Sequence, residues 1–226
     1  MSQPKVSVLM SVRNGEAYLR SSIESILTQT FQDFEFLILD DASDDRTPAI
    51  LSEYGRKDAR IRLFRNNRNL GLTRSLNKLI DAGKGLYIAR QDADDISMVR
   101  RLEKQVAVLN SDPGLGVCGV WVDSVNTKGE KIGSWHSPTD PSLIPWHLCF
   151  QNCISHPSVM FRKRLVESDA YRSEVCYGQD YDLWVRLSVK TRLMNIPETL
   201  YLRRRHAGMI GVRHKDAQDR AAREAM

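Results

Sequence analysis

Hydrophobic positions along the first hundred residues follow two alternating patterns. Short, nearly continuous apolar runs read as strands buried on both faces: Val6 to Val12, Phe34 to Leu39, Ile61 to Phe64 and Leu86 to Ala89. Between them, apolar residues recur at helical spacing. Leu19, Ile23, Ile26 and Leu27 form one stripe, and Leu72, Leu76, Leu79 and Ile80 form another, stopped by Gly83 and Gly85. Asn14 is placed to cap the first helix, with Glu16 in its first turn. Thr47 is placed to cap the next, whose first position is Pro48. Strict alternation of strand and helix predicts an α/β fold, a Rossmann-like α/β/α sandwich with a mostly parallel central sheet.

The rhythm changes after residue 98. Val99 to Asn110 reads as a helix ended by Pro113, Gly116 to Val122 as a strand, and Asn126 to Gly129 as a hairpin-like turn. Residues 134–158 are rich in Trp, His and Pro without a period, which suits either the lining of a substrate pocket or irregular packing. A strand over Ser158 to Phe161, a short helix over Arg162 to Ser168 and a helix after Tyr177 carrying Leu183, Trp184 and Leu187 follow. Leu193 to Ile196 and Thr199 to Leu202 read as two short strands, and the tail from Asp216 as a polar helix. No linker divides the chain, so a single domain is expected.

Composition narrows the setting. With 42% hydrophobic and 27% charged residues, the 226-residue chain is of ordinary globular type. Its net charge is +5, and residues 201–226 hold seven Lys/Arg against three acids, +4 of that total. The basicity is therefore a C-terminal feature, suited to phosphate, anionic lipid or simple solubility. Nothing else points to nucleic acid. Cys118, Cys149, Cys153 and Cys176 are scattered without a Cys-x-x-Cys pair, as expected of reduced thiols in a cytoplasmic protein. The N-terminus runs directly into a strand, and no apolar stretch is long enough to span a bilayer. Membrane contact would be peripheral, through the basic C-terminal segment.

Polar clusters sit where the strands end: Ser11 to Asn14, Asp40-Asp41 and Asp92-Ala93-Asp94-Asp95. In sheets of this kind, ligands lie beyond the carboxyl ends of the strands. In extended backbone, Asp92 and Asp94 aim to one side. Such carboxylates suit a hard divalent cation that takes its remaining ligands from a substrate phosphate. A lone acidic string is more often a solvated turn. Three polar clusters on one sheet edge argue instead for a metal–diphosphate site.

Five motifs in order complete the pattern: Lys5 to Asn14 (KVSVLMSVRN), Leu39 to Asp44 (LDDASD), Asn69-Leu70-Gly71, Asp92 to Asp95, and Gly178 to Trp184 (GQDYDLW). The sequence resembles the family-two inverting glycosyltransferases of the GT-A fold, over roughly residues 4 to 206. The resemblance implies a nucleotide-diphosphate sugar donor, UDP-linked in the commonest case, with Mn²⁺ or Mg²⁺ as cofactor and a saccharide or lipid-linked saccharide as acceptor. It implies a donor-binding half over 1–98, an acceptor-side half over 99–206 and a basic tail over 207–226. By position, Ser11 and Arg13 bracket the nucleoside, Asp41 reads the base and Asp40 supports its loop. Asp92, with Ala93, meets the ribose, Asp94 binds the metal and Asp95 backs it. His206 is a further metal or diphosphate candidate. Asp180 falls at the catalytic-base position, with Asp182 as second candidate or structural partner.

Elementary chemistry agrees with those roles. The leaving diphosphate needs its charge neutralised, and a carboxylate on the opposite face of the sugar must take the acceptor's proton. At a helix start the positive dipole end favours an ionised Asp180, although an Asp there is often only a cap. Two positions depart from the common pattern: Arg13 stands where Tyr is usual, and Gln179 where Glu often precedes the base, which removes a negative neighbour from Asp180. Two other readings remain: a nucleotide-sugar-binding module without catalysis, and a sugar-phosphate nucleotidyltransferase. The second predicts a glycine-rich phosphate loop, but Ser11 to Gly15 holds one glycine.

Overall fold

The computed structural model describes residues 3–166, 170–175 and 178–209. Cys176, Tyr177 and the polar helix expected from Asp216 lie outside them. The first half follows the expected alternation: β1 (Val6–Val12), α1 (Leu19–Leu27), β2 (Phe34–Asp40), α2 (Thr47–Lys57), β3 (Ile61–Arg65), α3 (Leu72–Ala82) and β4 (Tyr87–Arg90). The second half comprises β5 (Ile96–Ser97), α4 (Arg101–Ser111), β6 (Leu115–Val125), β7 (Lys131–Trp135), α5 (Ile144–His147), β8 (Met160–Arg162), α6 (Gln179–Ser188) and β9 (Arg192–Arg204).

Among the described residues these strands make one sheet in the order β3-β2-β1-β4-β8-β6-β9-β5, with β7 on β6. β1 pairs in parallel with both β2 and β4, and β2 with β3. The chain therefore reverses its direction of travel across the sheet at β1. The crevice beyond the ends of β1 and β4 is the topological switch point at which such sheets bind ligands. Beyond β4 the pairing is mixed: β8 is antiparallel to β4 and β6, whereas β6 and β9 run in parallel.

Period-two alternation divides the apolar strand residues between two cores. Val6, Val8, Met10 and Val12 face one layer with Ile23 and Ile26 of α1, Leu51 of α2 and Leu102 and Val106 of α4. Leu9, Leu37 and Leu39 face the other, with Leu76 and Leu79 of α3 and Leu183, Trp184 and Leu187 of α6. Removing one such fully buried side chain costs about 2–5 kcal/mol.

Several local expectations are corrected. Asn14 does not cap α1. It sits at φ 53°, and its Oδ1 accepts from the Asp44 amide at 3.1 Å. α1 begins only at Leu19, after a turn closed on the Gly15 carbonyl. Thr47 opens α2 as a helical residue. Its amide donates to Asp45 Oδ1 at 2.8 Å, and its hydroxyl accepts from the Gly15 amide at 2.9 Å. The two short strands expected near the end are one, β9, whose register with β6 slips between Ile196 and Thr199. Pro197 lies in that slip, and without an N–H it cannot hold a ladder position. Of the short helix expected over Arg162 to Ser168, the described residues form a 3₁₀ turn, Lys163–Leu165, and residues 167 and 168 lie outside them.

Candidate active site

Three strand ends and one returning strand build the site. At the end of β1, the first loop is laced to the loop after β2. The amides of Asn14 and Glu16 donate to Ser43 Oγ (3.0 Å) and Asp45 Oδ2 (3.0 Å), and the Arg46 amide donates back to Glu16 Oε2 (3.0 Å). Polar loop residues thus satisfy each other's backbone groups, leaving the crevice floor fixed. Asp40 accepts from the Ser43 amide at 2.9 Å. Ser11 is half-buried at the end of β1, and Arg13 is exposed.

Asp41 is buried, and its carboxylate is fully engaged. Oδ1 accepts from Asn66 Nδ2 (2.7 Å) and the Leu70 amide (2.8 Å), and Oδ2 accepts from the Gly71 amide (2.8 Å). The Asn69-Leu70-Gly71 stretch is therefore folded onto Asp41, with Gly71 at φ 84°, a conformation that favours glycine.

The acidic cluster follows β4. One oxygen from each of Asp92, Asp94 and Asp95 lies within 4.8 Å of the others. Asp92 Oδ1 meets the guanidinium of Arg90 at 2.5 Å, and Arg90 itself is fully buried. Asp94 Oδ2 lies 2.8 Å from His206 Nε2. Asp95 is buried and accepts from the Arg204 amide at 2.8 Å. Burial first, then the charges of its neighbours, lifts Asp95 well above the usual carboxylate range. Burial and then Asp92 raise Asp94, against the opposing hydrogen bond from His206. Crowded, half-desolvated oxygen donors beside an imidazole suit a hard divalent cation, whose charge would relieve their repulsion.

Asp180 sits in the first turn of α6, after Gly178 in the left-handed conformation. Asn152 Nδ2 donates to its Oδ2 at 2.8 Å. It lines a cleft of about 720 Å³ together with Asn152, His156, Trp135, Arg203 and Arg205. Burial raises the Asp180 pKa, opposed by nearby backbone amides, Asn152 and the charge of Arg90. The helix start therefore does not hold this carboxylate at its ordinary value, because desolvation outweighs it. Asp182, two residues on, turns elsewhere: it pairs with Arg186 at 2.8 Å and Arg172 at 3.3 Å and does not line the cleft. His156 is buried against Tyr171, its Nε2 2.9 Å from the phenol oxygen, and burial holds its pKa well below the usual value.

Several residues at the site were not singled out from the sequence. Arg90 stands between the two carboxylate groups, close enough to pull down the pKa of Asp180 while pairing with Asp92. Arg101, also fully buried, ties Ser97 and the Arg90 carbonyl together at 2.8 and 2.6 Å and lies 5.1 Å from the Tyr201 ring centroid. Arg204 braces the cluster through its amide to Asp95 and its Nε to the Asp94 carbonyl at 3.1 Å. The available signal was charge inside strands, Arg90 at the end of β4 and the arginine run closing β9. Cys118 and Cys153 are buried thiols, their pKa values pushed up to about 12 and about 11. Among the described residues no helix is long and apolar enough to cross a membrane.

Known proteins share this architecture. The chain superposes on Staphylococcus aureus TarS residues 1–349 in complex with UDP, with a TM-score of 0.75 at 18% identity, over 98% of this chain and 65% of that one. It superposes on the mannosyltransferase PcManGT from Pyrobaculum calidifontis, in complex with GDP-Man and Mn²⁺, with a TM-score of 0.67 at 17% identity, over 97% and 61%. The fold is GT-A. In sequence, residues 7–168 match the model of glycosyl transferase family 2. An uncharacterized glycosyltransferase of Methanocaldococcus jannaschii is 34% identical over 209 residues, 91% of this chain and 72% of that protein. The O-antigen biosynthesis glycosyltransferase WbnJ of Escherichia coli is 35% identical over 185 residues, 80% and 71%. The chain belongs to glycosyltransferase family 2. It spans under two thirds of the TarS fragment and of PcManGT.

Proposed function

We propose that the chain is an inverting, metal-dependent glycosyltransferase that moves a sugar from a nucleotide-diphosphate donor to a saccharide or lipid-linked saccharide acceptor in the synthesis of a cell-surface glycan. The observation that carries this reading is the pairing of two different carboxylate sites around Arg90: a crowded acidic cluster at the switch point and a single raised carboxylate in the adjoining cleft. The E. coli relative named for O-antigen biosynthesis and the complexes with UDP and with GDP-Man and Mn²⁺ support the class of acceptor, donor and cofactor.

In this reading Asp94 holds Mn²⁺ or Mg²⁺, with His206 beside it and Asp95 behind it. The bound metal supplies Lewis-acid neutralisation of the leaving diphosphate. Asp92 faces the ribose, held by Arg90, and Ala93 lines the same turn. Ser11, Arg13, Asp40 and Asp41 form the nucleoside side, Asp41 keeping the 66–71 loop in place beneath the base. Asp180 takes the proton from the acceptor hydroxyl. Its raised pKa brings it closer to working pH, which improves a general base as long as it remains ionised. One direct attack from that side inverts the anomeric centre. The chain works at the cytoplasmic side, where nucleotide sugars are supplied.

The test is a panel of UDP-, dTDP- and GDP-sugars incubated with the protein and Mn²⁺, with nucleotide release followed. Release from one donor, abolished by a chelator and by Asp180→Asn, supports the reading; no release from any donor with a glycan-fragment acceptor pool overturns it.

A further inference from the structure

β9 closes on Arg203 and Arg204, Arg205 follows with its amide on the Val125 carbonyl, and alternation sends the three side chains to different places. Arg204 points to the acidic cluster, where it braces Asp94 and Asp95. Arg203 and Arg205, one position to either side, line the cleft that contains Asp180. Among the described residues neither guanidinium is engaged in an ion pair or a side-chain hydrogen bond, and the Nε of Arg203 is buried without a partner. The fully buried arginines nearby each have a side-chain partner: Arg90 pairs with Asp92, although its Nε is also unpartnered, and Arg101 is bound to Ser97 and the Arg90 carbonyl. The two cations also lie near each other: burial first and then the charge of Arg205 lower the Arg203 pKa, opposed by the charges of Asp95 and Asp92. Arg203 is half-buried and Arg205 exposed, so the pair repel each other and leave their donors open to an anion that joins them.

The ligand class follows from that arrangement. A forked guanidinium pair matches the oxygens of a phosphate or carboxylate. The cleft also offers Asn152, Ser155 and Trp135, which suit sugar hydroxyls and a sugar ring. The cleft is lined by Asp180, whereas Asp92, Asp94 and Asp95 do not line it. Resting on the transferase reading above, we infer that Arg203 and Arg205 form an acceptor subsite for an anionic saccharide, one bearing a phosphate or a uronic carboxylate next to the sugar that presents its hydroxyl to Asp180. The subsite sets which acceptors are used and takes no part in holding the donor.

Calorimetry tests this on the full chain saturated with UDP and Mn²⁺. Glucose 1-phosphate, methyl glucuronoside and neutral methyl glucoside are titrated into the wild type, Arg203→Gln, Arg205→Gln and the double variant, with Arg203→Lys as the charge-retaining control. At least one anionic probe is expected to bind more tightly than methyl glucoside. Each glutamine substitution should weaken it about 10- to 100-fold, the usual worth of a charged hydrogen bond. Arg203→Lys, which keeps the charge and loses the fork, should weaken binding less than Arg203→Gln. Which of the two anionic probes binds more tightly distinguishes phosphate from carboxylate. UDP affinity in the presence of Mn²⁺ should be the same in all variants, and melting temperatures report that each is folded. Equal binding of charged and neutral probes overturns the inference. So does a loss of UDP affinity matching the loss of probe affinity, which would place the pair on the donor diphosphate. Failure of the wild type to bind UDP with Mn²⁺ strikes at the transferase reading instead, and the probes titrated alone then still decide whether the arginines hold an anion.

Discussion

His206 Nε2 stands 2.8 Å from Asp94 Oδ2, across 112 positions of sequence. The strand that ends beside it makes the meeting unavoidable: β9 pairs with β5 directly after the acidic cluster, and the Arg204 amide is bound to Asp95. The imidazole is therefore delivered to the cluster by backbone pairing. His206→Ala should weaken Mn²⁺-dependent UDP binding about 10- to 100-fold, the range found when a partner of a metal ligand is removed. UDP titrations at fixed Mn²⁺ measure it, and unchanged affinity would detach His206 from the site.

Asp180 gives a pH prediction with a defined sign. Its folded pKa is raised above the ordinary 3.8, so the charged form is the costly one in the folded chain. That cost is absent below 3.8, where both states are protonated, and grows as pH rises through the folded value. Asp180→Asn should therefore raise the melting temperature at neutral pH, with the gain vanishing in acid. The same variant should lose about 10²- to 10⁴-fold in transfer rate. A variant that is less stable at pH 7 and equally stable at pH 3 would contradict the assignment.

Arg90 couples the two carboxylate groups. Replacing it by methionine leaves Asp92, whose side chain is 35% exposed, to pair with water instead, and should cost about 1 kcal/mol in urea unfolding. It also removes the positive charge that lowers Asp180. The acid limb of the transfer profile should then move to higher pH. A profile unmoved in Arg90→Met would show that Arg90 acts on Asp92 alone.

Asp41 holds three donors, and two of them are amides of one loop. Asn has one acceptor oxygen and two N–H groups, so Asp41→Asn must turn a donor toward an amide. It should cost about 1–3 kcal/mol of local stability. Faster hydrogen exchange at Leu70 and Gly71, accompanied by weaker nucleotide binding, is the expected result; exchange unchanged at both amides would mean the loop is held by other contacts.

The first half of the fold was legible because its strands are buried on both faces and its helices carry clean stripes, so β1 to β4, α2 and α3 stand within a residue or two of their expected places, and α1 departs from its own at the start, which falls at Leu19. The second half was less so. β5 is two residues long, too short for any period, and β7 is largely exposed, with Ile132 facing solvent. β9 read as two strands because Pro197 interrupts its pattern without interrupting the chain's course. At the site, the sequence pointed to the strand-end carboxylates, since they must project from the sheet edge. It could not point to Arg90 or Arg101, because buried arginines are defined by partners distant in sequence. Between Asp180 and Asp182 the resemblance ranked Asp180 first, with Asp182 as second candidate or structural partner; both lie in the first turn of α6, and Asp182 is taken up by ion pairs to Arg172 and Arg186.

The central claim is that the acidic cluster binds a metal that in turn holds a nucleotide diphosphate. Isothermal titration of UDP, and of GDP in parallel, into the wild type and Asp94→Asn, each with Mn²⁺ and with EDTA, tests it most directly. The account predicts binding of one diphosphate to the wild type with Mn²⁺, loss of that binding in EDTA, and no Mn²⁺-dependent gain in Asp94→Asn. Equal affinity with Mn²⁺ and with EDTA, or an undiminished Mn²⁺ effect in Asp94→Asn, would contradict it.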